Sequence, residues 1–385
     1  MSGTKKPDFK LAGPVKGPSC ACNGPGGTGL KNCCTAGKQK PPYVTGTVRS
    51  AIGEVWRVST GLTPSDKWGI VKCRTSSYRN DYKVEAGLYA AGQPGRGSDV
   101  LVTANYKYSF DVLRRELKGI SAWILVLDTN GINVWCAAGK GTFGTAELVK
   151  RISLAQLDKL VEHKRIIVPQ LGAAGVSAHE VKKATGYRVV YGPVNAKDIP
   201  AFIEAEYKAT REMRTMGFPV KHRLVLTPME IVPMLKKYPL FALVILLAFG
   251  LQPSGILFRS AFQGGLPFLL FGLVSIFAGA FLTPVLLPYI PSRAFAVKGW
   301  IMGAVTTGLS LVIFPRFNPI LLSMILLFFP LASSYIALQF TGSTTFTGMS
   351  GVKKELKTGI PLYLISTAVS AVLLVIYKLI EWRMI

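Results

Sequence analysis

The sequence predicts an α/β domain with a parallel sheet and helices on both faces, followed by a domain of five transmembrane helices. Strand patterns alternate with helical patterns between residues 66 and 220, which is typical of parallel sheets. Long runs without charged side chains occupy the second half of the chain. Basic residues collect at the ends of those runs, as they do beside membrane spans.

Four apolar runs predict the strands of the α/β domain, and each precedes a helical pattern. The strands are predicted at residues 100–104, 122–128, 165–169 and 187–191. The helices are predicted at residues 109–117, 144–152, 178–185 and 198–213.

The first 65 residues are rich in Gly, Pro and Lys, and we expect a flexible region without a core. It contains four cysteines in the run SCACNGPGGTGLKNCC: Cys20, Cys22, Cys33 and Cys34. Their spacing matches no common zinc or iron–sulfur pattern. Thiolates prefer soft ions, so capture of a metal such as Hg(II) is one hypothesis, and ordinary exposed thiols are the other.

The second half follows a basic linker at residues 221–237 and extends over residues 238–385. Its uncharged runs are residues 238–258, 260–292, 299–315, 317–352 and 358–377. If five transmembrane helices cross the membrane in alternating directions, most of the Lys and Arg residues that flank them lie on the same side of the membrane as the α/β domain. The sequence therefore predicts a multi-pass inner-membrane protein with a cytoplasmic N-terminal domain and a C-terminus outside.

The formal net charge of +25 raises the question of nucleic acid binding. No RNP-like or helix-turn-helix pattern occurs, and much of the charge marks the predicted membrane edges. We therefore expect no nucleic-acid partner. The remaining basic surface suits an acidic protein or an anionic lipid.

Ligands of parallel sheets bind at the carboxyl ends of the strands. Four segments there are rich in Gly, Ala, Asn and Gln: TANYK, DTNGINVWCAAGKG, PQLGAAGVSAHE and YGPVNAKD. The Walker lysine pattern and the His-Glu-x-x-His zinc motif are absent from the sequence. Small residues and neutral amides favour a large planar ligand fringed with amides over a nucleotide.

The segments NVWCAAGK, QLGAAGVSAHEVKK and YGPVNAKDIPAF resemble the corrinoid iron–sulfur protein large subunit of acetyl-CoA synthesis. With TGSTTFTGMSGVKKE before the last span, the chain is similar to the corrinoid proteins of microbial mercury methylation. The resemblance implies a Rossmann-like corrinoid-binding domain and a methylated, cobalamin-type cofactor.

The resemblance implies that the Cys136 thiolate is the lower axial ligand of cobalt, and that Thr103 faces the metal from the other side. Both residues are therefore candidate catalytic residues. The other candidate cofactor-binding residues belong to the same segments: Asn133, Val134, Trp135, Ala137, Ala138, Gly139, Lys140, Gly172, Ala173, Gly175, Tyr191 and Gly192.

The chain departs from the iron–sulfur relative because its N-terminal cysteines do not match the four-cysteine cluster motif. The resemblance therefore implies an external electron donor, a ferredoxin-like iron–sulfur protein, and a folate-type methyl donor. The function it implies is a membrane-anchored corrinoid methyltransferase that passes methyl to Hg(II) and forms methylmercury. The alternatives are a methyl carrier of acetyl-CoA synthesis and a corrinoid-responsive membrane sensor or transporter.

Overall fold

The computed structural model describes residues 40–313, 317–344 and 346–384. They form two compact units. The first comprises residues 40–73 and 77–216, and the second comprises residues 74–76 and 217–384. The boundary after residue 216 lies four residues before the domain end expected at residue 220.

The first unit is built on a seven-stranded mixed sheet with the order β1-β2-β3-β5-β4-β6-β7. The strands are β1 (Val44–Ser50), β2 (Gly53–Val58), β3 (Gly87–Ala91), β4 (Val100–Ala104), β5 (Ala122–Leu127), β6 (Arg165–Val168) and β7 (Arg188–Tyr191). The four predicted strands are β4 to β7, and they are mutually parallel, as expected. Their carboxyl ends therefore share one edge of the sheet.

The sheet as a whole is mixed, which corrects the prediction of a purely parallel sheet. β3 pairs antiparallel to β5, and β1 forms an antiparallel hairpin with β2. β1 and β2 lie within the stretch expected to be flexible. They are part of the sheet because their residues pack on both of its faces: Val55 belongs to one core cluster and Trp56 to the other. The predicted flexible region therefore does not extend over residues 44–58.

Helices cover both faces of this sheet. They are α1 (Pro64–Thr75), α2 (Lys107–Glu116), α3 (Val134–Lys140), α4 (Thr145–Leu154), α5 (Leu157–Leu160), α6 (Ala178–Thr185), α7 (Ile199–Glu204) and α8 (Arg211–Arg214). The helix predicted at residues 198–213 is divided into α7 and α8. Glu206 and Tyr207 have φ values of 51° and 65°, and this left-handed backbone ends a helix.

A buried ion cluster fixes the start of α2. Lys107 Nζ lies 2.7 Å from an Asp66 oxygen and 2.6 Å from an Asp111 oxygen. Arg114 bonds to the same two carboxylates at 2.7 and 2.8 Å, so two cations and two anions balance in the interior. Burial alone would raise the pKa of Asp66, but the Lys107 hydrogen bond, the Thr63 amide and the nearby positive charges lower it to about 2.

The second unit contains five helices that are long and apolar enough to cross a membrane. The helices are α9 (Val220–Leu226), α10 (Pro228–Gly250), α11 (Phe258–Phe277), α12 (Thr283–Val285), α13 (Phe295–Ile313), α14 (Pro319–Gln339) and α15 (Met349–Glu381), with α9–α10 and α11–α12 each counted as one long helix. A two-stranded hairpin, β8 (Leu251–Gln252) and β9 (Gly255–Ile256), joins α10 to α11. α10 begins within the stretch expected to be a linker.

Two glycines let α13 and α14 pack backbone to backbone. A Cβ atom at Gly299 would lie 2.5 Å from Cβ of Ala337, and one at Gly303 would lie 2.6 Å from Cβ of Ser333. The Ser333 hydroxyl donates to the Gly299 carbonyl at 2.9 Å. This small-residue spacing is typical of helix pairs in membranes, where close packing replaces the hydrophobic effect.

The ion cluster predicts how acid affects the first unit. Because the folded state lowers the pKa of Asp66 to about 2 from 3.8, its contribution to stability is complete above about pH 4 and is lost as the pH falls towards 2. We expect the hydrogen-exchange protection factors of β4 and α2 in the full chain, which are corrected for the intrinsic pH dependence of exchange, to fall over that interval. In Asp66→Asn the fall should be weaker, and an identical pH profile would contradict this assignment.

Candidate functional site

Cys136 lies in α3, a two-turn helix at the carboxyl edge of the parallel strands. Asn133 caps the helix, since its side-chain oxygen accepts the Cys136 backbone N–H at 2.9 Å. Gly141 ends the helix in the left-handed conformation, with φ 81°. The Cys136 side chain is half-buried and forms no disulfide with a described cysteine, so its sulfur remains accessible to a ligand.

A single side chain, Asn105, anchors the loop that leads into α3. Its oxygen accepts three hydrogen bonds, from the amide and hydroxyl of Thr129 at 3.0 and 2.9 Å and from the Gly131 amide at 2.8 Å. Its nitrogen donates to Asp128 at 3.0 Å. The Thr129 hydroxyl also donates to the carbonyl of Ile132 at 2.6 Å. Hydrogen bonds therefore run from the end of β4 to the residue before the cap of α3.

Sequence reasoning did not select Asn105, although it noted the TANYK segment. The signal is positional: an Asn directly after a buried strand faces a neighbouring turn that contains Asn130 and Gly131, both with positive φ. Such turns expose backbone N–H groups that need an acceptor. Asn105 supplies that acceptor from a buried position.

The glycines of the loop after β6 pack against the turn that follows α3. A Cβ atom at Gly175 would lie 2.2 Å from the Phe143 carbonyl oxygen and 3.0 Å from Cα of Ala138. A Cβ atom at Gly172 would lie 2.5 Å from the Phe143 ring. The structure thus gives both candidate corrin-binding glycines a role in supporting α3, and contact with a ring remains a prediction for them.

The other candidate cofactor-binding residues differ in how deeply they are buried. Val134, Ala137 and Ala138 are buried in the core beneath α3, whereas Trp135 is 40% exposed. Gly139 and Lys140 are also exposed, and Ala173 is half-buried. Gly192 is buried and lies against Ile167. The hydroxyl of Tyr191 donates to the Val176 carbonyl at 2.5 Å and so braces the loop that carries Gly175.

Thr103 does not lie beside Cys136. Leu101 and Thr103 alternate with Val102 along β4, and Val102 belongs to the core cluster that contains the residues of α3. Leu101 belongs to the cluster on the opposite face, so Thr103 points to that face, where it is 3% exposed. Its position facing a metal stays a prediction.

Gln170 is a second residue that sequence reasoning did not select, although its segment was noted. It opens the short 3-10 turn Gln170–Gly172, which contacts α3. Its side-chain oxygen is buried and has no hydrogen-bond donor among the described residues. A buried carbonyl oxygen without a donor is costly, so this one favours a ligand that carries N–H groups.

The four N-terminal cysteines, Cys20, Cys22, Cys33 and Cys34, lie outside the described residues. Within the described ranges, no group of three or more His, Cys, Asp or Glu side chains is arranged to hold a metal ion.

Loss of the Asn105 amide should loosen the loop that carries Cys136. Asn105→Leu would leave the Thr129 and Gly131 amides without an acceptor, and each unsatisfied buried group costs about 1–3 kcal/mol. We expect faster hydrogen exchange over residues 128–136 in the full chain, with exchange of β7 unchanged. Asn105→Asp alone should do the same, because two carboxylates would then meet.

Combining Asn105→Asp with Asp128→Asn exchanges the amide and the carboxylate and restores a donor between them. The double variant should recover slow exchange over residues 128–136. If Asn105→Leu leaves exchange there unchanged, Asn105 does not hold the loop.

Part of the chain is similar to known proteins. The family model described as CO dehydrogenase/acetyl-CoA synthase delta subunit matches residues 71–203. The acetyl-CoA decarbonylase/synthase complex subunit gamma of Methanopyrus kandleri is 34% identical over 138 residues, which are 35% of this chain and 29% of that protein. The corrinoid/iron-sulfur protein large subunit of Moorella thermoacetica is 31% identical over 125 residues, 32% of this chain and 28% of that protein. The chain thus spans less than a third of the length of these two relatives.

Proposed function

We propose that the first unit binds a corrinoid at the carboxyl edge of its sheet, with the Cys136 sulfur as the lower axial ligand of cobalt. The observation that carries this proposal is a half-buried thiol held in position by Asn133 and the Asn105-anchored loop. A thiol that coordinates a metal gives up its proton, so Cys136 would bind as a thiolate. The name of the Moorella thermoacetica relative supports a corrinoid as the ligand.

The residues present fit such a ligand in two respects. A corrin ring is fringed with primary amides, and the unpaired oxygen of Gln170 needs an N–H donor of that kind. The exposed side of α3 presents Trp135, Gly139 and Lys140 rather than a closed wall, which leaves room for a large planar molecule. Ala137, Ala138 and Val134 would support the helix from beneath, because they are buried in the core.

The activity that the comparisons support best is that of a corrinoid methyl carrier related to acetyl-CoA synthesis. When bound, the corrinoid supplies a cobalt atom that accepts and releases the methyl group. The protein's part is to fix the axial sulfur, and axial-ligand identity is the means by which proteins tune such cofactors. A folate-type methyl donor and a ferredoxin-like electron donor are the partners that we propose for this cycle.

Transfer of methyl to Hg(II) is the second candidate function, and the chemistry of Cys136 favours it. A thiolate donates more electron density than imidazole or water, which favours delivery of methyl with its bonding electrons to an electrophile. The comparisons do not support mercury as the acceptor, so this candidate rests on the sulfur ligand and on the sequence resemblance.

We further propose that the second unit spans the cytoplasmic membrane, with the first unit in the cytoplasm. Its five apolar helices carry large exposed side chains such as Leu240, Val312 and Leu364, each more than 60% exposed. Apolar surface of this extent needs lipid or a protein partner to cover it.

Replacement of Cys136 tests the ligand. Cys136→Ala should fold and still bind corrinoid through its loops, but it should lose the sulfur-dependent visible absorption and nearly all methyl transfer. Cys136→His should bind through imidazole with a different spectrum. Cys73→Ala is the matched control, because Cys73 is buried in α1 and its loss should leave the spectrum unchanged. A wild-type spectrum in Cys136→Ala would show that the sulfur is only packing.

The acceptor is tested with the methylated full chain, incubated with Hg(II) and, in parallel, with a thiol nucleophile. If Hg(II) is an acceptor, mass spectrometry should detect methylmercury from wild type and far less from Cys136→His. Replacing Cys20, Cys22, Cys33 and Cys34 with Ser should slow this reaction at low Hg(II) and spare it at saturation. Absence of methylmercury together with transfer to the thiol would leave the carrier role alone.

A further inference from the structure

Buried cations in this protein fall into two groups. Five Lys or Arg side chains are buried among the described residues: Lys107, Arg114, Arg223, Lys298 and Lys378. The first two share the carboxylates of the ion cluster under α2, and Lys378 lies 2.6 Å from Glu381. Within the described residues, no carboxylate lies within ion-pair distance of the other two, Arg223 and Lys298.

The hydrogen bonds of Arg223 and Lys298 leave their charges uncompensated. Arg223 is 3% exposed; one terminal nitrogen donates to the Phe218 carbonyl at 3.1 Å, and its Nε has no partner among the described residues. Lys298 is 8% exposed, and its ammonium donates to the Leu287 carbonyl. Backbone carbonyls are neutral acceptors, so neither contact supplies a negative charge.

The helices that carry the two cations contact the same short segment of the second unit. α9, which carries Arg223, contacts α12, the three-residue helix that ends two residues before Leu287. Leu226, one turn after Arg223, packs in the cluster that contains Leu287 and Phe295. Lys298 lies one turn after Phe295 and bonds directly to Leu287. We call this region, residues 218–226 and 283–298, the α9–α12 corner.

The carboxylate of Glu355 reaches this corner, where it already accepts a hydrogen bond. Glu355 accepts the Ala296 backbone N–H at 2.8 Å and so caps the first turn of α13. It forms no ion pair with a described cation. Glu355 therefore serves a helix end and is not paired with either buried cation of the corner.

An arginine cannot relieve this imbalance by losing its proton, and a buried charge without a counter-ion costs several kcal/mol. We propose that the α9–α12 corner binds a phosphate group, with Arg223 and Lys298 as its ligands. Guanidinium and ammonium groups bond to phosphate oxygens with charge-assisted hydrogen bonds. An anionic lipid headgroup and free phosphate share this chemistry. The lipid arm of the test rests on the membrane location proposed above, and the phosphate arm does not.

The test measures the thermal unfolding midpoint of the full chain in nanodiscs of phosphatidylcholine, with and without phosphatidylglycerol. A second arm adds inorganic phosphate to the chain in a neutral detergent. We expect the anionic lipid to raise the wild-type midpoint by about 2 to 4 °C. Arg223→Met and Lys298→Met should each abolish that rise. Neither variant should lower the midpoint in phosphatidylcholine alone, because each removes an uncompensated charge.

Two matched controls separate this site from general charge effects. Lys236→Met removes an exposed cation of α10 and should keep the full rise. Lys378→Met removes a paired cation; it should lower the midpoint equally in both lipid mixtures and also keep the rise. Native mass spectrometry should show phosphatidylglycerol retained by wild type and lost from the two corner variants.

A rise with inorganic phosphate in detergent would identify free phosphate as a source, and a rise with lipid alone would identify the headgroup. The proposal is overturned if wild type shows no rise in either arm, or if both corner variants keep it. It is also overturned if Lys298→Met and Arg223→Met lower the midpoint equally in both lipid mixtures and keep the rise, as expected for Lys378→Met. That result would mean that both cations are paired within the protein. None of these outcomes depends on corrinoid binding.

Discussion

The position of Cys136 depends on one buried amide at the end of β4. Asn105 satisfies four hydrogen-bonding groups of the loop at residues 128–131, which has no regular secondary structure of its own. A two-turn helix such as α3 is too short to be stable by itself in water. Its geometry therefore has to come from the loop before it and from the core beneath it. A ligand sulfur gains precision only when its supporting groups are fixed in this way.

The second support of α3 is steric. Gly172 and Gly175 let the loop after β6 approach the turn at Phe143 more closely than any side chain would allow. Tyr191, at the end of β7, holds that loop through the Val176 carbonyl. Each parallel strand from β4 to β7 thus contributes one constraint to the same short helix. The shared carboxyl edge acts as a rigid frame, and Cys136 is the polar group that this frame presents outward.

Sequence periodicity was sufficient for β4 to β7 because buried parallel strands are continuous apolar runs. It did not identify β1, β2 and β3, since β3 is only the five residues GLYAA and β1–β2 is a short hairpin in a Gly- and Pro-rich context. Uncharged runs predicted the five long helices. Cys136 could be selected by motif, but Asn105 and Gln170 could not, because their roles depend on donors and acceptors brought together by the fold.

The two units differ in the groups that lie near their buried cations. In the first unit, Lys107 and Arg114 are neutralised by Asp66 and Asp111, because a buried cation surrounded by protein has to find its anion within the chain. The long apolar helices of the second unit offer few carboxylates, and one of those, Glu381, already pairs with Lys378. A cation near the end of such helices has another source of negative charge, since phosphate groups are abundant at a membrane surface. In the proposed phosphate site, Arg223 and Lys298 of the second unit would take their negative charge from outside the chain.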